Sequence, residues 1–76
     1  MTLYEKMKVK LYEAVGNVNS CADRKDVERN RVNYGIATTT AYVLRELGHD
    51  VQMSCWEDDG YLKIPRLTLN GDLTEF

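Results

Sequence analysis

The sequence predicts an α+β domain in which two or three helices pack on an antiparallel β-hairpin, with a short third strand as an optional addition. Three observations predict it. Apolar residues recur at helical spacing in the first half of the chain, they alternate with polar residues in the second half, and Asp59-Gly60 separates two alternating runs. The first pattern is typical of amphipathic helices, and the second is typical of half-buried strands.

Length and composition define one folded unit. The chain has 76 residues, which is one domain's worth, so we assign residues 1–76 to a single domain. Apolar residues make up 43%, enough for one core and too many for a disordered chain. The longest apolar run, Ala41 to Leu44, is far shorter than a membrane span, and the lysine-bearing first ten residues do not resemble a signal peptide. We therefore expect a cytoplasmic protein with no membrane partner.

Charge is unevenly distributed along the chain. Residues 1–34 hold seven Lys/Arg and five Asp/Glu, a balance of +2. Residues 35–76 hold three Lys/Arg and seven Asp/Glu, a balance of −4. Non-specific binding to nucleic acid needs clustered basic side chains, so the second half of the chain would oppose it.

The first helix is predicted over residues 3–15. Thr2 followed three residues later by Glu5 has the spacing of a capping box, which starts a helix at residue 3. Gly16 is well placed to end that helix. The apolar residues that share one face at helical spacing are Leu3, Met7, Leu11, Ala14 and Val15.

Residues 21–47 can form one helix or two. At ~100° per residue the apolar residues after position 35 fill one continuous arc, but this arc would receive polar residues when it is projected upstream. We therefore predict a break at 33–35, with helices at 21–32 and 36–47. The alternative is one long helix whose first half projects from the body of the protein.

The hairpin is predicted to consist of strands at 51–57 and 61–64. Asp59-Gly60 is a strong signal for a two-residue turn, because both positions need a positive φ. Such a turn pairs residue 58 with residue 61, and it places the apolar residues of the two strands on one face. These residues are Val51, Met53, Cys55, Leu62 and Ile64.

Two further signals follow the hairpin. The apolar positions change from even to odd numbers after Pro65, which predicts a bulge or bend at Pro65-Arg66. Asn70-Gly71 then indicates another turn, with 72–76 as a short third strand. In that pairing Leu73 would face away from Leu67 and Leu69.

One stretch resembles a known family. A glycine, the apolar residue after it, a run of small polar residues and a later leucine have the spacing of a helix-turn-helix turn and its following helix. They lie in the stretch Gly35-Ile36-Ala37-Thr38-Thr39-Thr40-Ala41-Tyr42-Val43-Leu44-Arg45-Glu46-Leu47-Gly48. Three helices followed by a hairpin complete the layout. Residues 20–64 thus resemble a winged helix-turn-helix domain, whose wing tip would be Asp59-Gly60.

This resemblance implies a DNA-binding transcriptional regulator that reads DNA through helix 36–47. Two features depart from the family pattern. Arg31 stands where the family packs a small residue, and the wing tip would face phosphates with three carboxylates. The resemblance would place Thr38, Thr39, Tyr42 and Arg45 in the major groove, with Arg24, Lys25 and Arg29 on the DNA backbone.

The sequence offers little for catalysis. Nucleophilic catalysis needs a nucleophile, a base and an orienting group, and Cys55 with His49 is the one pair worth testing. There is no glycine-rich phosphate loop, and Cys21 and Cys55 with a single His cannot supply a four-ligand zinc site. Consecutive carboxylates at a hairpin tip are typical of solvated turns. We therefore expect no enzymatic activity, no cofactor and no metal.

The other face of the hairpin carries aromatic and charged side chains. Such residues on an open strand face are enriched at interface hot spots, unless the first helix or the C-terminal segment covers them. We expect a small non-catalytic binding or inhibitor protein whose partner is a protein with a basic surface, and mimicry of nucleic-acid charge is one form of this. The alternative is the DNA-binding regulator. The expected partner-binding residues are Trp56, Glu57, Asp58, Asp59, Tyr61 and Lys63.

Overall fold

Two helices pack on one face of a three-stranded antiparallel sheet in the computed structural model, which describes residues 1–76. This arrangement confirms the α+β class. The strands follow the chain as a meander, in the order β1-β2-β3. The elements are α1 (Leu3–Asp23), α2 (Val27–Glu46), β1 (Val51–Asp58), β2 (Tyr61–Leu69) and β3 (Asp72–Glu75).

Helix α1 begins as predicted and ends later than predicted. The Thr2 hydroxyl accepts a hydrogen bond from the Glu5 N–H at 3.2 Å, and the Glu5 carboxylate accepts one from the Thr2 N–H at 3.2 Å. The predicted end at residue 15 is wrong, because the helix runs through Gly16 to Asp23. Beyond Gly16 the buried face continues with Val18, Cys21 and Ala22. Their burial outweighs the cost of a helical glycine, about 1 kcal/mol.

Helix α2 is continuous, so the predicted break at 33–35 and the predicted boundaries 21–32 and 36–47 are wrong. The buried face of the helix does extend upstream, but through Asn30, which is fully buried. Its amide Nδ2 donates to the Val18 carbonyl of α1 at 2.8 Å. The first half of α2 therefore packs against α1 and does not project from the body.

The β1–β2 hairpin confirms the predicted turn and the predicted irregularity near Pro65. Asp58 pairs with Tyr61 across Asp59-Gly60. Trp56 then pairs with Lys63, and Ser54 pairs with Arg66, so two residues of β2 lie opposite the single residue Cys55. Those two residues, Ile64 and Pro65, form a bulge. Strand β2 continues past the predicted end at residue 64 as far as Leu69.

The third strand is present. Asn70 and Gly71 have φ values of 50° and 89°, as a two-residue hairpin turn requires, and β3 pairs with the second half of β2. Neither helix is both long and apolar enough to cross a membrane.

The core lies between the helices and the inner face of the sheet. Cys55 was predicted to share this face with the buried residues; it lies beside Tyr34 of α2, but it is exposed, since β1 is an edge strand. The buried core residues are Leu11, Ala14, Val15, Val18, Ala37, Ala41, Leu44, Val51, Ile64, Leu67 and Leu69.

Candidate functional site

The outer face of the sheet, which points away from the helices, is uncovered. Alternation along the strands places Ser54, Trp56, Lys63, Arg66, Thr68, Leu73 and Glu75 on it. Three large apolar side chains on or beside this face are exposed to solvent: Trp56 at 57%, Leu73 at 57% and Phe76 at 47%. Neither α1 nor the C-terminal segment buries Trp56.

Trp56 lies at the rim of a shallow cavity of about 320 Å³. Pro65 and Phe76 form its other apolar walls, and the ion pair between Arg66 Nε and Glu75 Oε1, at 3.8 Å, lies at its edge. The Phe76 N–H donates to the Pro65 carbonyl at 2.9 Å, which fixes the backbone on which the phenyl ring is carried. A depression with both apolar and polar walls can accept one large side chain of a partner.

A second groove continues along the outer face. It has a volume of about 300 Å³ and lies beside Leu73 and the ion-pair residue Arg66. Together the two depressions run across all three strands. The residues that line the second groove are Gln52, Met53, Ser54, Arg66, Thr68 and Leu73.

The three carboxylates of the hairpin tip differ in their surroundings. Glu57 pairs with Arg31 at 3.3 Å, and Asp58 pairs with Lys63 at 3.5 Å. Asp59, in the turn at φ 53°, makes no ion pair. Exposed ion pairs add little stability, but each one reduces the net charge that a partner would meet.

Tyr61 braces the hairpin against the turn between the helices. Its hydroxyl donates to the Lys25 carbonyl at 3.3 Å, and the Lys25 ammonium lies 5.4 Å from the centroid of its ring. The side chain is half-buried. Tyr61 therefore offers a partner only the remainder of its ring, whereas Trp56 offers most of its indole.

The sequence did not identify the apolar surroundings of Trp56. Pro65 reaches it through the bulge in β2, and Phe76 reaches it because β3 pairs with β2 beyond that bulge. One signal was present in the sequence: in the predicted third strand Leu73 faces away from the apolar residues of β2. A leucine on the wrong face of a short strand indicates an exposed apolar surface.

The residues expected to read DNA are spread from the turn before α2 to the last turn of that helix. Arg24, Lys25 and Arg29 lie at the turn before α2 or in its first turn. Arg45 lies near the other end, roughly 24 Å from Arg29 at the helical rise. The Arg45 side chain donates from Nε to the Val51 carbonyl at 2.9 Å, so it is tied to the sheet.

The middle of α2 has no turn at Gly35. Thr38 donates to the Tyr34 carbonyl at 3.0 Å, Thr39 lines a groove beside Gly35, and Tyr42 is 60% exposed. The geometry thus gives a single helix with a mixed polar surface, in which the expected turn and recognition helix are continuous with each other.

The structure does not bring Cys55 and His49 together. The His49 ring stacks on Tyr4 with centroids 4.2 Å apart, and its Nδ1 lies 3.1 Å from Asn70 Nδ2. Cys55 lies instead beside Tyr34, whose pKa is raised above the ordinary 10.0 by burial and further by the neighbouring thiol. No group of three or more His, Cys, Asp or Glu side chains is arranged to hold a metal ion.

Comparison with known proteins gives no match: no family model, no curated protein and no solved structure matches this chain. Its function therefore has to be argued from the geometry of its own residues.

Proposed function

We propose that this protein is a non-catalytic binding protein that captures a protein partner on the outer face of its sheet. The observation that supports the proposal is Trp56, which is 57% exposed beside a cavity with apolar walls. Burying a large apolar side chain contributes about 1.5–3 kcal/mol, and this fold leaves most of that contribution unused. Tryptophan is also among the residues most enriched at binding hot spots.

The charges of the sheet favour a partner with basic side chains around its contact surface. Residues 51–76 contain five Asp/Glu and two Lys/Arg. Both cations, Lys63 and Arg66, are already paired with carboxylates, whereas Asp59 and Asp72 make no ion pair. A partner's basic groups would meet unpaired carboxylates on either side of the aromatic centre, which favours productive encounters.

The apolar centre carries more of this proposal than the acidic tip. Two of the three tip carboxylates have a cation of the same chain within 3.5 Å. The tip therefore presents less free negative charge than its sequence suggested. Mimicry of nucleic-acid charge stays a prediction, and Trp56 is the residue on which we base the test.

The test compares partner capture by three immobilised variants in lysate from the source cells. Trp56→Ala should weaken capture of the partner by a factor of ten or more, since truncating a hot-spot residue costs about 2 kcal/mol or more and about 1.4 kcal/mol is already tenfold. Val32→Ala is the matched control, because Val32 is 62% exposed but lies on α2, away from the sheet. Asp59→Lys should weaken capture without breaking an ion pair of the folded protein.

A protein captured equally by wild type and Trp56→Ala would contradict the proposal. The DNA-binding alternative has its own readout. A gel shift at low salt that weakens steeply as salt increases, and that is lost on Arg24→Ala/Arg29→Ala, would support the regulator instead.

A further inference from the structure

The free edge of β1 follows from the hydrogen bonds of β2. Asn30 binds the backbone N–H and carbonyl of Leu62, so these groups point away from β1. Tyr61 and Lys63 must then bond to β1, through Asp58 and Trp56. The backbone groups of the odd-numbered β1 residues therefore point outward, away from the sheet.

The second half of the ladder gives the same result. Leu69 pairs with Asp72 across the Asn70-Gly71 turn, so the backbone of Leu69 points to β3 and that of Thr68 points to β1. Thr68 pairs with Gln52. Because the extra residue of the bulge lies on β2, the backbone groups of β1 alternate between inward and outward along the whole strand. The outward-pointing residues are Val51, Met53, Cys55 and Glu57.

The protein caps the part of β2 that β3 does not reach and leaves the outer edge of β1 open. On β2, where β3 does not reach, Asn19 binds the N–H and carbonyl of Ile64 at 2.8 Å each, and Asn30 does the same for Leu62. On β1, the Val51 carbonyl receives a side-chain donor from Arg45 at 2.9 Å, and the Met53 carbonyl receives only a long contact from the Cys55 thiol, at 3.9 Å. No side-chain group caps the outward N–H groups in the middle of β1.

The middle of the open β1 edge also lacks the usual protection against strand pairing. Folded proteins protect edge strands with proline, charged side chains (lysine above all), a bulge or a covering element. Strand β1 contains no proline and no lysine, its two charged residues, Glu57 and Asp58, lie at its end beside the turn, and the bulge lies on its partner strand. Cys55 and Glu57 are exposed and Met53 is half-buried. The chemistry of this edge fits one kind of ligand, an extended strand that supplies matching N–H and carbonyl groups.

We propose that this strand is β1 of a second copy of the chain, paired antiparallel about a two-fold axis at Cys55. This register places Cys55 opposite Cys55 of the second copy and Met53 opposite its Glu57. In this register no carboxylate lies opposite another carboxylate. An axis at Glu57 would instead place the Glu57 carboxylates of the two copies opposite each other. The same self-complementary sequence thus serves both sides of a symmetric interface.

An axis at Met53 is less favourable. It would require the outward backbone groups of Val51, whose carbonyl already accepts from Arg45. The axis at Cys55 uses outward groups whose one contact within the chain is the long one from the Cys55 thiol to the Met53 carbonyl, at 3.9 Å. The product is a six-stranded sheet with one continuous outer face, on which the two Trp56 side chains lie on the same side. Dimerisation requires no binding partner, so it stands or falls separately from the proposed function.

Sedimentation measured over a range of concentrations tests the dimer. Wild type should shift from 8.8 kDa towards twice that mass as concentration rises. Cys55→Pro should remain monomeric, because proline removes an outward N–H that the fold itself does not use. Cys55→Ala keeps the backbone and should dimerise like wild type.

Cys55→Lys supplements the proline variant, with circular dichroism confirming that both are folded. In the proposed dimer this substitution places the lysines of the two copies opposite each other at the axis. Their repulsion should keep this variant monomeric as well. A wild type that stays monomeric, or a Cys55→Pro variant that dimerises like wild type, would overturn the proposal.

Cross-linking tests the register. Residues facing each other in a hydrogen-bonded antiparallel pair have Cα atoms about 5.5 Å apart, within the range that a disulfide spans. In a Cys55→Ser background, Met53→Cys and Glu57→Cys variants should form a mixed disulfide when they are oxidised together with copper-phenanthroline, which takes up the two electrons. Either variant alone should form little disulfide. Self-linkage as efficient as mixed linkage would exclude the axis at Cys55.

Discussion

The side-chain amide of Asn30 binds both backbone polar groups of Leu62, much as a neighbouring strand would. Its Oδ1 accepts from the Leu62 N–H at 2.9 Å, and its Nδ2 donates to the Leu62 carbonyl at 2.8 Å. Nδ2 also donates to the Val18 carbonyl of α1 at 2.8 Å. One buried side chain therefore joins α1, α2 and β2, and it completes the ladder of β2 where β3 ends.

Asn30→Ala should destabilise the fold by about 2–4 kcal/mol, because it leaves the N–H and carbonyl of Leu62 without partners and removes the second hydrogen bond to the Val18 carbonyl. That is a large part of the roughly 4–11 kcal/mol expected for a chain of this length. Urea denaturation measures the change. Asn17→Ala is the control, since Asn17 is exposed on α1 and alanine favours a helix. Equal midpoints for the two variants would show that the Asn30 bonds contribute little.

The same residue explains why the sequence favoured two helices over the continuous helix α2. Projected upstream, the apolar arc of α2 receives Arg29 and Asn33, while Val27 falls on the polar side, so the pattern predicts that the arc ends near residue 35. Asn30 is buried because Leu62, far along the chain, supplies its hydrogen-bond partners. Nothing local in the sequence indicates that contact. Hydrophobic periodicity cannot predict that a polar residue is buried when its hydrogen-bond partners are distant in the sequence.

The hairpin could be predicted because its constraints are local. Asp59-Gly60 fixes the turn, and the turn fixes the register. Trp56 could accordingly be placed on the outer face from the sequence alone. Its neighbour Phe76 could not, because its position depends on β3 and on the bulge near Pro65.

Alanine at the two helical glycines should stabilise the protein. Gly16 and Gly35 have no atom within 4 Å of a built Cβ, and neither has a positive φ. Each substitution should therefore add about 0.5–1 kcal/mol to the free energy of unfolding. Gly71→Ala is the opposite control, because φ at Gly71 is 89°. Thermal or urea unfolding measures all three, and a destabilising Gly35→Ala would indicate a break in α2 at that position.

The N-terminal cap of α1 should depend on pH. Hydrogen bonds from the Thr2 backbone and hydroxyl hold the pKa of Glu5 below its ordinary 4.5. A carboxylate whose pKa is lowered by folding stabilises the fold above its unfolded pKa, and that contribution is lost as pH falls through the folded value. The stability of wild type should therefore decline below pH 4.5 in part through Glu5.

An NMR titration of the Glu5 carboxyl group tests the cap directly. Thr2→Ala removes the hydroxyl and should raise the pKa of Glu5 part of the way towards its ordinary value, whereas Thr2→Ser keeps the hydrogen bonds and should leave the pKa low. Coincident titrations in the two variants would mean that the hydroxyl does not influence Glu5.

The two cysteines should differ sharply in their access to a thiol reagent. Cys55 is exposed on β1, whereas Cys21 is 2% exposed on α1 and its Sγ accepts from Arg24 Nη2 at 3.3 Å. At low protein concentration, a maleimide should label the native protein once, at Cys55. Cys21 should be labelled only through local or global unfolding, at a rate that denaturant increases.

The variants Cys55→Ala and Cys21→Ala separate the two sites. Native Cys55→Ala should give almost no adduct by mass spectrometry, and native Cys21→Ala should react like wild type. Rapid labelling of native Cys55→Ala would mean that the end of α1 opens readily, because Cys21 lies in its last turn. The packing of that turn against α2 would then be weaker than its burial indicates.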